Sequence, residues 1–368
     1  MTELRKLKVI FLLPALTSGG AERVLITLMN NIDRTRFEPH LLCISDHGSI
    51  GGLIDKDLPF HSLYTRSVLR STPKLYAKLR TIEPDIIVST MVHVNFVLLM
   101  LQPFFPRTKF IVREAITPSF VFTQHPRIAP ILKLAYKYLY RKADVVLSPA
   151  QAIIDEFKQD LHMACENHSV LHNPVDIEFI RGFPPTPPSA PSTRAQTVHF
   201  VAGGRLHKQK GYDRLIRALP SLNMPHEWTL TIFGKGPERG ALRQLIQETG
   251  LQNHVKLAGH TQSPWPHYAQ ADCFLMPSRW EGLPNAVLES LACGTPTIVT
   301  AQSGGIAEIQ DITGTQHVRI AQDMDEFIQL MSKVTPSPSP IYRPSLLPDY
   351  FSKDFVVARF EKILTRVI

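Results

Sequence analysis

Pro277-Ser278-Arg279-Trp280-Glu281-Gly282-Leu283-Pro284-Asn285-Ala286-Val287-Leu288-Glu289-Ser290-Leu291-Ala292-Cys293-Gly294-Thr295-Pro296 decides how this chain is read. An aliphatic run, Cys273 to Met276, precedes it and has the length of a buried strand. A loop then carries Glu281. Pro284 stands at the favoured first position of a helix, Gly294 suits its C-terminal stop, and Pro296 prevents continuation. Glu281 therefore lies at the entrance of this helix and Glu289 about one and a half turns inside it. Carboxylates so placed can accept hydrogen bonds from the hydroxyls of a sugar and a ribose. The free N–H groups of a helix entrance, with Asn285 in its first turn, attract an anion such as a diphosphate.

Working outward, three more Gly-rich or charged turns follow predicted strands. Gly204-Arg205 and Lys208-Gln209-Lys210-Gly211 follow the strand Thr197–Ala202, putting two cations where a diphosphate leaving group can be held. Gly234-Lys235-Gly236-Pro237 follows Thr229–Phe233, and Ser303-Gly304-Gly305-Ile306-Ala307-Glu308 follows Thr297–Thr300. A lone Gly-x-Gly is ordinarily only a turn. The succession of all four at strand ends is what carries the reading.

The first half repeats the same grammar. Lys8–Leu13 reads as a strand, and Gly19-Gly20-Ala21-Glu22-Arg23 opens a helix with Val24, Leu25, Leu28 and Met29 on one face. Further strands are expected at 40–45, 85–89, 109–113, 145–147 and 168–173, and in the second half at 255–257. Short aliphatic strands alternating with helices are the pattern of a parallel sheet covered on both faces. The expected organisation is an N-terminal acceptor-binding domain at 1–181, a Pro/Ser-rich linker at 182–196 and a nucleotide-sugar-binding domain at 197–345. The tail at 346–368 is expected to hold a helix packing back on the first domain. The fold class is α/β, two Rossmann-like doubly wound domains facing across a cleft, with ligands at the carboxyl ends of the strands.

With these motifs the sequence resembles the retaining GT-B glycosyltransferases of family 4, formerly glycosyl transferases group 1, over residues 8–310 and most specifically in 200–310. The resemblance implies that Glu281 lies by the donor sugar, that Glu289 binds the ribose, and that Arg205 and Lys210 hold the diphosphate as the glycosidic bond breaks. It implies donor-binding roles for Gly19, Gly20, Gly204, Gly234, Gly236, Asn285, Gly304 and Gly305. Retention by front-face attack, assisted by the leaving phosphate and needing no metal or other cofactor, is implied as well. The Asp55-Lys56-Asp57 and Asp323-Met324-Asp325 triplets lie outside the motif block and read as a loop and an acidic helix start.

Many members of the family place a His at the end of the fourth or fifth strand. Here Val112-Arg113-Glu114-Ala115-Ile116-Thr117-Pro118-Ser119 stands there, similar to bacterial enzymes that add N-acetylhexosamine to lipid-linked oligosaccharides. Glu114 is therefore the residue expected to contact the acceptor or support the site, with His93 as the alternative. A lone His at 93 is more often structural. His172-Asn173-Pro174 matches the segment that ends the first domain.

Composition bounds the rest. The 368 residues are 44% hydrophobic and 20% charged, the balance of a globular protein. Four cysteines without paired spacing suggest neither a disulfide framework nor a zinc site and fit a reducing compartment. The five-residue run Val9–Leu13 is better read as a first strand than as a signal sequence, and no stretch reaches the ~20 apolar residues of a membrane span. The net charge is +8, and thirteen Lys and Arg against three acids lie between 58 and 142. Interleaved with them are Phe104, Phe105, Phe120, Phe122, Tyr136, Tyr138 and Tyr140. Such a surface suits an anionic membrane or a polyprenyl diphosphate, although solvated helix faces and core aromatics explain much of it equally well. Nucleic acid is excluded as partner for want of any reading motif. The expectation is a cytoplasmic enzyme, peripheral on the inner face of the cytoplasmic membrane. It moves a hexose or N-acetylhexosamine from a nucleotide sugar, UDP-linked, to a glycan or polyprenyl-diphosphate-linked acceptor. The rivals are a catalytically silent sugar-nucleotide-binding scaffold and a GT-B-fold nucleotide-sugar epimerase.

Overall fold

The computed structural model describes residues 5–17, 19–183, 197–337 and 343–368. Ser18, most of the expected linker (184–196) and residues 338–342 lie outside them. The chain forms two compact units: Met1–Pro174 with Lys353–Ile368, and Val175–Ser352.

The first unit is built on seven parallel strands: β1 (Leu7–Leu13), β2 (Phe37–Cys43), β3 (Phe60–Ser62), β4 (Ile86–Thr90), β5 (Lys109–Arg113), β6 (Val145–Ser148) and β7 (His168–Val170). Their order is β3-β2-β1-β4-β5-β6-β7. Val9 through Leu13 have no exposed surface, and the N-terminal apolar run is an interior strand of this sheet, paired with β2 and β4. One face packs on Val94, Leu98, Tyr136 and Phe157 and the other on Leu25, Leu28, Met29 and Phe360. Burial on both faces is why these strands read as continuous aliphatic runs rather than alternating ones.

The second unit has six parallel strands: β8 (Thr197–Gly203), β9 (Glu227–Phe233), β10 (Val255–Gly259), β11 (Cys273–Met276), β12 (Thr297–Thr300) and β13 (Val318–Ala321), ordered β10-β9-β8-β11-β12-β13. In each sheet the order reverses beside the first strand, between β1 and β4 and between β8 and β11. Loops leave in opposite directions there and open a crevice at the strand ends.

β3 and β13 carry no sequence expectation. Both are sheet edges, where one missing neighbour relaxes the demand for an aliphatic run; Phe60-His61-Ser62 and Val318-Arg319-Ile320-Ala321 mix polar with apolar residues accordingly. The units also divide at Pro174 rather than at 181. The helix Ile177–Arg181 belongs to the second unit, where it packs on the helix Asn285–Ala292, and Arg181 Nη1 donates to the carbonyls of Ala292 (3.3 Å) and Arg343 (3.0 Å). The last helix, Lys353–Arg366, belongs to the first unit and packs on the helix Gly20–Asn31. Its Phe360 is fully buried with its ring 6.1 Å from that of Phe11 on β1, and its Glu361 accepts from the Asp33 backbone N–H at 2.7 Å.

Candidate functional site

In the second unit the loops leaving β8 and β11 meet. The loop after β11 is set by backbone clamps. Arg214 donates to the carbonyls of Pro277 (2.8 Å) and Ser278 (2.6 Å) and to Thr300 Oγ1 (3.1 Å), while Thr300 itself donates to the Ser278 carbonyl at 2.5 Å. Arg279 makes a bidentate pair with Asp213 (2.6 and 2.8 Å) and donates to the Lys208 carbonyl at 2.8 Å. That pairing holds the Asp213 carboxyl below its usual range and raises Arg279. The Arg279 backbone N–H donates to the Gln209 carbonyl at 2.7 Å, so the turn bearing Lys210 and the loop bearing Glu281 are tied together.

Lys210 Nζ then lies 2.6 Å from Glu281 Oε1, which also accepts from Ser278 Oγ at 2.8 Å. Both side chains are shielded, 16% and 10% exposed. Arg205 is exposed beside them in sequence, and among the described residues no hydrogen bond or ion pair holds its guanidinium. Glu289, on the helix Asn285–Ala292, accepts from Trp265 Nε1 at 3.2 Å. Pro284 precedes this helix as its extended cap rather than opening it, which makes Asn285 the first helical residue.

The glycines explain how the loops come so close. Gly234 has φ +152, and a Cβ on it would fall 1.9 Å from the Gly204 carbonyl oxygen. A Cβ on Gly236 would fall 2.2 Å from the Leu206 carbonyl, and Leu206 N–H donates to Lys235 O at 3.0 Å. The Gly-x-Gly turn thus interlocks with the Gly204-Arg205 turn. Gly304 has φ +46, and a Cβ there would lie 2.2 Å from the Glu281 carbonyl, while Gly305 N–H donates to Gly282 O at 2.8 Å. Gly304 and Gly305 therefore seat the Glu281 loop against the helix Ile306–Thr313.

In the first unit, Gly19 caps the helix that begins at Gly20. A Cβ on Gly19 would fall 2.1 Å from Glu22 Oε2, and Glu22 is itself buried and accepts from Thr17 Oγ1 at 2.5 Å. His93 is the second residue of the helix Val92–Leu101 that follows β4, with Met91 as its N-cap. Desolvation holds its imidazole below the ordinary range, with the Glu22 charge opposing. Met91 adopts φ +76 and ψ 122, a conformation costly for a side-chain-bearing residue and one that gathers at functional sites.

Glu114, just past β5, is 2% exposed. It accepts from the Tyr140 hydroxyl and has Tyr136 beside it; burial pushes its pKa up to about 7, against the pull of these hydroxyls and of Arg113. Asn95 Nδ2 donates to Tyr140 Oη (3.0 Å) and to the Arg113 carbonyl (3.1 Å), and Arg113 Nη2 donates to Asn173 Oδ1 at 2.5 Å. Glu114 is thus a member of a buried polar network, not an exposed carboxylate. Of the aromatics expected on a surface, Phe105, Phe122, Tyr136 and Tyr140 are core. Among the described residues no group of three or more His, Cys, Asp or Glu is placed to hold a metal ion, and no helix is long and apolar enough to cross a membrane.

Sequence reasoning missed Ser278, Arg279, Asp213, Arg214, Trp265, Asn95 and Tyr140. Ser278 reaches Glu281 three residues on; the partners of the others in the site lie tens of residues away along the chain, and no spacing rule connects them.

Residues 192–338 match the profile of the family described as Glycosyl transferases group 1, and residues 18–179 that of Glycosyltransferase Family 4. A Campylobacter jejuni N-acetylgalactosamine-N,N'-diacetylbacillosaminyl-diphospho-undecaprenol 4-alpha-N-acetylgalactosaminyltransferase is 26% identical over 309 residues, covering 80% of this chain and 81% of its own. HepE from Anabaena, solved with UDP, superposes with a TM-score of 0.79 at 20% identity over 98% of this chain and 100% of its own. The apo lipopolysaccharide outer core galactosyltransferase WaaB does so at 0.73 and 18%, over 98% and 100%. With both halves matched and both sheets wound as Rossmann-like domains, the chain belongs to the group 1, family 4 glycosyltransferases of the GT-B fold.

Proposed function

We propose that this glycosyltransferase moves a hexose or N-acetylhexosamine from a UDP-linked donor to a glycan or polyprenyl-diphosphate-linked acceptor, with retention at the anomeric carbon. The observation that carries the reading is the shielded Lys210–Glu281 pair at the crevice of the second sheet, 2.6 Å across. A cation and a carboxylate held side by side support the reading, because a diphosphate and its sugar would call for both together.

In this reading Lys210 and Arg205 meet the charge that grows on the diphosphate as its bond to the anomeric carbon breaks. The acceptor hydroxyl bonds to that carbon from the same face, and its proton passes to the departing phosphate oxygen. Glu281 accepts from donor-sugar hydroxyls, Glu289 from the ribose, and the chemistry calls for no metal because the two cations supply the countercharge. Glu114, held within its network, supports the acceptor side through Tyr140 rather than by contact. UDP is supported by the UDP found with HepE. The acceptor class is supported by the diphospho-undecaprenol in the Campylobacter relative's name.

A thermal-shift panel of nucleotide sugars on the wild type, Glu289→Ala and Arg205→Ala tests this. One UDP-sugar should raise the wild-type melting temperature and lose that effect in both variants. A well-folded protein that responds to none overturns the nucleotide-sugar donor reading.

A further inference from the structure

The helix Ala129–Leu139 has two faces that want different surroundings. Inward, Tyr136 is fully buried against Phe96, Phe122 and Phe157, and Tyr140 just beyond the helix is buried with it. Outward, Ile131, Leu134 and Tyr138 are 66%, 55% and 60% exposed, and Ile128 at the helix cap is 45% exposed. At 100° per residue, these four fall on a single stripe. Scattered apolar side chains on a surface need no explanation, but a continuous stripe of large ones on one helix does.

The charges beside the stripe say what covers it. Arg127, Lys133, Arg141 and Lys142 are exposed, Lys137 is half-buried, and no Asp or Glu occurs anywhere from 115 to 143. Lys137 and Arg141 flank the stripe on one side, and Arg127 and Lys142 fall within its arc near the two ends. A second copy of the chain would bring the same cations against these and be repelled. A bilayer with anionic headgroups satisfies both halves: it takes the apolar stripe into the headgroup–acyl boundary and pairs the cations at its surface. Lysine stems lying along the stripe can reach that surface with their ammonium groups. At 11 residues the helix is suited to lie in the interface rather than to cross it.

The geometry points to the outer face of the Ala129–Leu139 helix as the surface by which this protein docks on an anionic lipid bilayer. The inference deepens the proposed acceptor class, because a polyprenyl-linked acceptor is presented at such a surface. Of the aromatics that the sequence marked in this region, only Tyr138 belongs to the stripe; Ile128, Ile131 and Leu134 supply the rest.

Co-sedimentation of the full chain with phosphatidylglycerol/phosphatidylcholine vesicles, and with pure phosphatidylcholine, tests it. The wild type should bind the anionic vesicles, and binding should weaken as salt is raised. Ile131→Ser/Leu134→Ser should lower the partition coefficient about ten-fold on the same vesicles. Lys137→Glu/Arg141→Glu should remove the preference for anionic lipid. All four positions belong to the first unit and not to the donor-binding one, so stabilisation by a nucleotide sugar should persist in both variants, which separates failure of docking from failure of the transferase reading. Absence of wild-type binding overturns the proposal, as does equal binding by Ile131→Ser/Leu134→Ser. A wild-type dimer in analytical ultracentrifugation that the same double variant dissolves would also overturn it, because the stripe would then be covered by a second copy.

Discussion

Lys210 Nζ stands 2.6 Å from Oε1 of Glu281, across 71 residues of sequence, and Ser278 Oγ donates to the same oxygen at 2.8 Å. A shielded pair of this kind is costly to break on one side only, because the remaining charge loses its partner while staying largely out of water. Lys210→Met should therefore lower the melting temperature by a few degrees, and Lys210→Met/Glu281→Gln should recover most of that loss. Both should lose about 10²–10³-fold in kcat for sugar transfer. Equal stability of the single and double variants would deny the coupling.

Gly304→Ala tests the seat of the Glu281 loop. The new Cβ would lie 2.2 Å from the Glu281 carbonyl and 2.4 Å from that of Gly282, both backbone atoms unable to move aside cheaply, at φ +46. A loss of about 1–3 kcal/mol is expected from the overpacking. Denaturant melts should show it, and donor affinity should fall with it. Wild-type donor affinity in this variant would mean that the loop position does not matter for binding.

Arg279→Lys keeps the charge but not the fork that grips both oxygens of Asp213. The tie between the Lys208–Lys210 turn and the Glu281 loop should loosen. KM for the donor should rise about ten-fold with a smaller change in melting temperature. An unchanged KM would show that Arg214 alone suffices to hold the loop.

Glu114 predicts a pH dependence. Its carboxyl is pushed up to about 7 by burial, whereas in the unfolded chain it titrates near ~4.3. Between those values the folded chain keeps a proton that the unfolded chain has released. Stability therefore falls as pH rises through this window and levels off above it. Glu114→Gln, which can still accept from Tyr140, lacks the effect. The melting-temperature difference, variant minus wild type, should grow from about pH 4.3 to about 7. A difference that stays flat would remove the buried, proton-holding Glu114 from the account.

Phe360→Ala should cost about 3–5 kcal/mol, since the ring is fully buried against the first sheet and packs on Phe11. Chemical denaturation read by a probe in the first unit would report it. A loss below about 1 kcal/mol would mean that the last helix is dispensable to that unit.

The residues themselves make most of the fold legible. Val9–Leu13, Cys273–Met276 and Thr297–Thr300 are short runs buried on both sheet faces, and such burial favours apolar side chains at nearly every position, Thr297 and Thr300 being the hydroxyl-bearing exceptions. Pro284, Gly294 and Pro296 bracket a helix because a proline lacks the donor that a helix interior needs and a glycine tolerates the left-handed exit, seen here as φ +78 at Gly294. The edge strands β3 and β13 escaped because a half-paired strand tolerates polar residues.

What the sequence by itself determined is therefore local: which segments are strands, where helices begin, and which charged and Gly-rich turns stand at strand ends. Only the tertiary structure decided which of those turns touch. It brought Lys210 to Glu281 but turned Glu289 to Trp265, buried Glu114 under Tyr140, and showed the Gly234 and Gly236 turn to be an interlock with Gly204 and Leu206. It also carried the last helix back onto β1 through Phe360, and put Tyr136 inside the first unit and Tyr138 outside it. Strand and helix periodicity follow from backbone sterics within a few residues. The pairing of side chains tens of residues apart follows from how whole elements pack, which short-range spacing does not encode.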